Sequence, residues 1–409
     1  MYKEWRQVYG MDVVAVDSAK KSRIPQAFGR EASAEARAFH RQIDGYRETP
    51  LASLPALAKK LGVKGIYVKD ESQRFSLNAF KGLGGSYAMF RILCGRLGLD
   101  PAATTLEELL REENREKISR AVFVTATDGN HGRGVSWAGK IFGCQVHVYM
   151  PAGSVEARAE AIRRAGPAQV SITDMNYDDT VQFALEQSRR HGWYLIQDTA
   201  WDGYEQIPSW IIQGYLTMAA EALEQMRAVK AAPTHVFLQA GVGAMAGGVL
   251  GYLAQCLGGD KPTAVIVEPE AANCIFRSAK ANDGAAHTVE GSPVTIMAGL
   301  NCQTPCKITW PVLRDYAEFY LSCPDYAAAH GMRVYAAAVG EDQVVVSGES
   351  GAATMGALSL LLSREELRDV RDEMGLTEDS VILLFNTEGD TDQEGYRSVV
   401  TEGTYPIPE

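Results

Sequence analysis

Short, continuously apolar runs alternate with amphipathic ones through most of the 409-residue chain. Eight runs read as strands: 65–69, 121–127, 145–151, 169–174, 193–198, 235–241, 263–269 and 380–387. Most lack hydrophobic–polar alternation, as expected of strands buried on both faces of a parallel sheet. Helical spacing fills the gaps, in SVEARAEAIRRAG (154–166) and DDTVQFALEQSRRHG (178–192). From Lys81 onward, Leu83, Tyr87, Ala88, Met89, Ile92 and Leu93 also recur at helical intervals. The alternation predicts a parallel α/β fold.

Two stretches break the rhythm. Residues 104–120 predict one charged, amphipathic surface helix. Residues 308–337 predict a long helical stretch, interrupted near Cys323-Pro324, without a strand. No repeat, low-complexity tract or linker separates domains, so a second domain is expected within the first. The expected partition is an inserted domain at 86–214 within a larger one formed by 1–85 and 215–409.

Composition narrows the class. Hydrophobic residues at 46% and charged residues at 22% are those of an ordinary globular protein. A net charge of −11 argues against a nucleic-acid partner, which needs a basic face. No run of ~18 apolar residues predicts a membrane span, and the first residues lack the apolar core of a secretory signal. The cytoplasm is the expected compartment. Seven scattered cysteines form no C-x-x-C pair, and Cys302 and Cys306 have no companion cluster for zinc. Free thiols and no metal are expected, with a Cys274–Cys302 disulfide left open.

Ligands of open α/β sheets bind beyond the C-terminal strand ends. There the chain carries DGNHGRG (128–134), DTAWDGY (198–204), AGVGAMAGG (240–248) and TEGDTD (387–392). Elsewhere, Lys81 opens a helix beside Gly82, Gly84 and Gly85, each costing roughly 1 kcal/mol relative to alanine. Singly, these signals have plain readings. Lys81 could be solvated, Asp128 and Asp198 could cap helices, and Thr387 could form a turn. GVGAMAG with Glu268 imitates a dinucleotide fingerprint. Together they suit pyridoxal phosphate. Its aldehyde needs a lysine, its phosphate a helix N-terminus, and its pyridine nitrogen a partner.

The stretches YVKDESQRFSLNAFKGLGG, TATDGNHGRG, QDTAWDGYEQIPSWIIQGY, AGVGAMAGG and TEGDTDQEGY also carry a resemblance. From roughly residue 45 to the C-terminus, the chain resembles the fold-type II pyridoxal-phosphate enzymes. More narrowly, it is similar to the diaminopropionate ammonia-lyases. The resemblance implies two parallel-type α/β sheet domains with the cofactor in the cleft between them, and a homodimer. It implies that Lys81 forms the internal aldimine, with Phe80 beside it and Asn130 on the 3′-oxygen. Gly241, Val242, Gly243, Ala244 and Gly247 would hold the phosphate, and Thr387 would face the pyridine nitrogen. The glycines around Lys81 are expected to let the cofactor lie against the backbone.

The implied reaction is α,β-elimination of D- and/or L-2,3-diaminopropionate to pyruvate and two ammonia. A hydroxyl facing the ring nitrogen leaves it largely unprotonated, which favours prompt elimination over a long-lived carbanion. Asp128 departs from the dehydratases, whose loop carries a small residue there. With Asp198, it could attract the substrate's β-ammonium. Lys81 would act as base on one face and Asp128 on the other. The rivals are a serine/threonine dehydratase of the same fold, an NAD-dependent oxidoreductase and a cofactor-holding sensor without turnover.

Overall fold

The computed structural model describes residues 2–16, 24–127 and 129–408. Its strands are β1 (Tyr2–Val8), β2 (Met11–Val16), β3 (Leu51–Ser53), β4 (Gly65–Asp70), β5 (Val122–Ala126) and β6 (Gln145–Met150). They continue with β7 (Ala168–Ile172), β8 (Tyr194–Leu195), β9 (His235–Gln239), β10 (Thr263–Pro269), β11 (Phe319–Cys323) and β12 (Val381–Asn386).

The larger of two compact units comprises Met1–Gly29, Glu48–Gln73 and Met218–Glu409. Its sheet runs β1-β2-β11-β10-β9-β12-β4-β3. The five strands from β11 to β4 are parallel, and β1, β2 and β3 pair antiparallel at the ends. The sheet is therefore mixed. The smaller unit comprises Arg30–Arg47 and Arg74–Thr217, and its sheet, β7-β6-β5-β8, is wholly parallel. Lys81 falls in this unit, whereas a boundary at residue 85 would have assigned it to the larger one.

In each sheet the strand order reverses beside a glycine-bearing turn. In the larger sheet β9 has β10 on one side and β12 on the other; in the smaller, β5 lies between β6 and β8. Such a reversal splays the loops apart and opens a crevice at the strand's C-terminal end. AGVGAMAGG follows β9 and DGNHGRG follows β5.

All eight expected strands are present, although 193–198 shortens to two ladder residues. The expectation of no strand within 308–337 is corrected. Helix Trp310–Tyr316 ends, and β11 runs buried between β10 and β2 before Pro324 starts helix Asp325–Ala337. All five β11 residues are buried, so strand pairing prevails over a helical reading of FYLSC. Residues 104–120 form two helices, Leu106–Leu109 and Glu112–Ser119, because Arg111 between them is extended. The β1–β2 hairpin turns through Tyr9 and Gly10, both at positive φ, the tight turn that matches strand twist. Among the described residues, no helix is long and apolar enough to cross a membrane.

Candidate active site

In the smaller unit, Lys81 is the first residue of helix Lys81–Leu97. Its Nζ donates to Asp198 Oδ2 and lies 5.2 Å from the centre of the Phe80 ring. Phe80 packs on Tyr215, with ring centres 4.7 Å apart. Glycines here also meet neighbouring helices at close range. A Cβ on Gly84 would stand 2.6 Å from Tyr215 Cε1, and one on Gly214 2.4 Å from Leu83 O. A Cβ on Gly134 would stand 2.9 Å from Gly82 N and Lys81 O. Neighbouring helices press on the backbone at these glycines, and this packing fixes where Lys81 begins its helix.

Asp198 follows β8 in a segment pinned by its own motif. Gln197 N takes Tyr204 OH at 2.9 Å, and Tyr204 OH donates to Leu195 O at 2.8 Å. Gln197 Oε1 accepts from Ala126 N at 3.1 Å, tying the segment to the end of β5. Asn130 opens helix Asn130–Phe142, whose first turn is tied by Thr127 Oγ1 accepting from Gly129 N and Gly132 N. The next residue, His131, is buried and meets Ile196 O through Nε2 at 2.8 Å. A carbonyl only accepts, so Nε2 carries the proton and Nδ1 is bare in the neutral ring. Nδ1 stands 3.7 Å from Asp198 Oδ2.

Burial lowers the His131 pKa, and the Lys81 ammonium adds to this against the pull of Asp198. Burial opposes ionisation of Asp198, but its interactions with His131 and Lys81 prevail and hold it well below the usual carboxylate range. The result is a buried carboxylate with a lysine on one side and the His131 ring on the other. Asp128 lies outside the described residues.

The larger unit holds the remaining expected residues. Gly243 caps helix Ala244–Leu257 at φ +83°, without a side-chain cap or an acidic residue in the first turn. The helix's first backbone bond from this turn is Gly247 N to Gly243 O at 2.9 Å. Earlier amides in the turn have no acceptor among the described residues, which suits an anion. The turn has a firm backing. A Cβ on Gly241, Gly243 or Gly247 would stand 2.9 Å from Cys302 Sγ, 2.7 Å from Leu313 Cδ1 or 2.5 Å from Thr309 Cβ, respectively. Val242 O accepts from Cys306 N at 2.7 Å. Cys274 and Cys302 are free thiols.

Thr387, buried just past β12, accepts at Oγ1 from Gln239 Nε2 at 3.0 Å. Glu388 receives Ser350 N at 3.0 Å, and Asp392 caps the last helix through Gly395 N at 3.0 Å. These two acids of TEGDTD therefore support helix ends. Glu268 does not suit a ribose. It is fully buried, accepts from Ile275 N and Phe276 N, and burial pushes its carboxyl up to about 8.

The smaller unit thus gathers Lys81, Phe80, Asn130 and Asp198; the larger holds Gly241, Val242, Gly243, Ala244, Gly247 and Thr387. The sequence reading assigned no part to His131, Gln197, Tyr204 or Gln239. For Gln239 a signal was available: a lone amide ending the buried run HVFLQ must find hydrogen-bond partners.

Residues 43–374 match the family model of the pyridoxal-phosphate dependent enzymes. The chain is 48% identical to diaminopropionate ammonia-lyase of Escherichia coli K12 over 93% of its own length and 94% of that protein's. A crystal structure of the Escherichia coli enzyme in complex with D-serine superposes with a TM-score of 0.89 at 43% identity, covering 98% of this chain and 100% of that one. Another, in complex with an aminoacrylate-PLP azomethine reaction intermediate, also scores 0.89, at 44% identity and with the same coverage. L-threonine dehydratase of Corynebacterium glutamicum is more distant, 28% identical over 59% of this chain and 48% of its own.

Proposed function

This chain belongs to the pyridoxal-phosphate dependent enzymes and, within them, to the diaminopropionate ammonia-lyases, and on that premise we propose how its residues share the work. It is a lyase that eliminates ammonia from 2,3-diaminopropionate, giving pyruvate and two ammonia, with pyridoxal 5′-phosphate as cofactor. When bound, the cofactor withdraws electrons from the substrate's Cα, which lets the Cα–H bond break and the β-amine leave.

Lys81 anchors the cofactor and, once its amine is released, takes the Cα proton from one face. Asp198 Oδ2 holds the Lys81 ammonium and offers the β-ammonium of the substrate a negative partner. His131, buried beside it, turns Nδ1 toward the same carboxylate. The amides opening helix Ala244–Leu257 take the phosphate, with Gly241, Val242, Gly243, Ala244 and Gly247 forming the turn. Asn130 takes the 3′-oxygen, Phe80 packs beside Lys81, and Thr387 meets the pyridine nitrogen. Asp128 serves as base for the opposite face, so that both enantiomers react. The proposal extends to a cytoplasmic homodimer without a nucleic-acid partner, resting on family resemblance and the net charge of −11.

One observation carries the assignment: Lys81 opens its helix and is paired with Asp198 in the same unit. Borohydride reduction of the holoenzyme followed by peptide mapping tests it. The cofactor must be found on Lys81; attachment to another lysine would reject the arrangement.

A further inference from the structure

The β9–β12 ladder stops at Phe237 and Leu384. Beyond it the Gln239 side chain takes over, donating Nε2 to Phe385 O at 2.8 Å. Because a carbonyl cannot donate, the end of the amide meeting Phe385 O must be nitrogen, and the orientation of Gln239 is fixed. The second Nε2 hydrogen goes to Thr387 Oγ1 at 3.0 Å. Gln239 is 1% exposed and Thr387 4%, so water does not compete freely for these bonds.

A hydroxyl has one proton and two acceptor sites. Gln239 takes one acceptor site of Thr387, and among the described residues no group accepts the hydroxyl proton. Nearby carboxylates are engaged elsewhere. Asp70 accepts from Asn386 Nδ2 and Ser72, Glu388 from Ser350 N, and Glu268, on the neighbouring β10, from Ile275 N and Phe276 N. We propose that Gln239 is a positioning residue that sets the direction of the Thr387 hydroxyl, so that Thr387 donates to the cofactor's pyridine nitrogen and keeps it unprotonated. This rests on the reading of Thr387 as that nitrogen's partner.

The alternative polarity is unfavourable for a specific reason. A pyridinium N–H would need the second acceptor site of Thr387, and the hydroxyl proton would then be buried without an acceptor. An unprotonated nitrogen takes that proton and leaves only one acceptor site unused. Buried structures tolerate an under-used acceptor better than an orphaned donor. The direction is set by the Gln239 amide, 148 residues away in sequence, rather than by Thr387 alone.

The test uses holoenzyme reconstituted with pyridoxal phosphate carrying ¹⁵N in the ring, and reads the ring-nitrogen chemical shift across neutral pH. The wild type is expected to show the unprotonated pyridine value throughout. Gln239→Met, similar in length but without a donor, should move the signal toward the pyridinium value at the acid end. Thr387→Ser should keep the wild-type shift, and Thr387→Val should lose it. A shift that moves in Thr387→Val but not in Gln239→Met overturns the role of Gln239 and leaves Thr387 as the nitrogen's partner. A shift unmoved in Thr387→Val rejects that reading of Thr387 as well. If Gln239→Met does not fold, a pyridinium signal in the wild type suffices to overturn the proposal.

Discussion

Replacing Asp198 by asparagine preserves the shape of the side chain and one acceptor oxygen, but removes the charge facing Lys81. The two side chains are 12% and 20% exposed. Stripping one partner from a buried pair costs about 3–5 kcal/mol. Asparagine still accepts a hydrogen bond, and the exposed part of Lys81 is screened, so the expected loss is roughly 2 kcal/mol. At about 2–4 °C per kcal/mol for a unit of this size, the cofactor-free protein should melt roughly 4–8 °C lower at neutral pH.

The pH dependence identifies the cause. Asp198 is held below the usual carboxylate range, with His131 and Lys81 outweighing burial. Such a group stabilises the fold above its unfolded pKa, ~3.9, and loses that contribution as pH falls through the depressed folded value. The gap between wild type and Asp198→Asn should hold through neutral pH and close only in strong acid. His131 acts in a different window. Its burial-lowered pKa gives stability above its unfolded pKa of ~6.5 that is lost as pH falls toward the folded value. His131→Gln should therefore flatten the decline just below that pH. Thermal melts across pH provide the assay. Equal melting of wild type and Asp198→Asn at neutral pH, or a gap undiminished in strong acid, would refute the ion-pair reasoning.

Lys81→Ala should abolish both the visible band of the bound cofactor and turnover while the circular dichroism of the fold survives; a retained band and full activity would contradict the anchor. Gly247→Ala places a Cβ 2.5 Å from Thr309 Cβ, so it should cost about 1–3 kcal/mol by overpacking and weaken cofactor retention in equilibrium dialysis. Unchanged retention would remove this turn from the phosphate site. Asp128→Asn should lower turnover of the D-isomer by about 10²-fold or more, since a base must reach the proton it takes. The L-isomer should lose much less, and equal losses on the pure enantiomers would reject two bases on two faces.

The parallel strands were legible because burial on both faces leaves an uninterrupted apolar run, as in HVFLQ and VILLFN. The strands that were missed have other reasons to form. β1, YKEWRQV, is an edge strand rich in polar residues, and β3 has only three residues. β11 follows directly on a helix, and what makes it a strand is its place between β10 and β2, which no local pattern reveals. At the site, the lysine among glycines was legible, but the helices packed against those glycines were not. Gly84 answers to the helix that carries Tyr215, and Gly134 to the start of the Lys81 helix, each distant in sequence. The parts of His131 and Gln239 were equally hidden, because each follows from the carbonyl that its nitrogen meets.

The central claim is elimination of the β-amine of diaminopropionate, and product stoichiometry measures it directly. Ammonia and pyruvate should be quantified in parallel for diaminopropionate and for serine, with kcat/KM for each. The account predicts two ammonia per pyruvate from diaminopropionate, and a kcat/KM well above that for serine. A kcat/KM higher for serine, with one ammonia per pyruvate as the main reaction, would contradict it and make the protein a dehydratase.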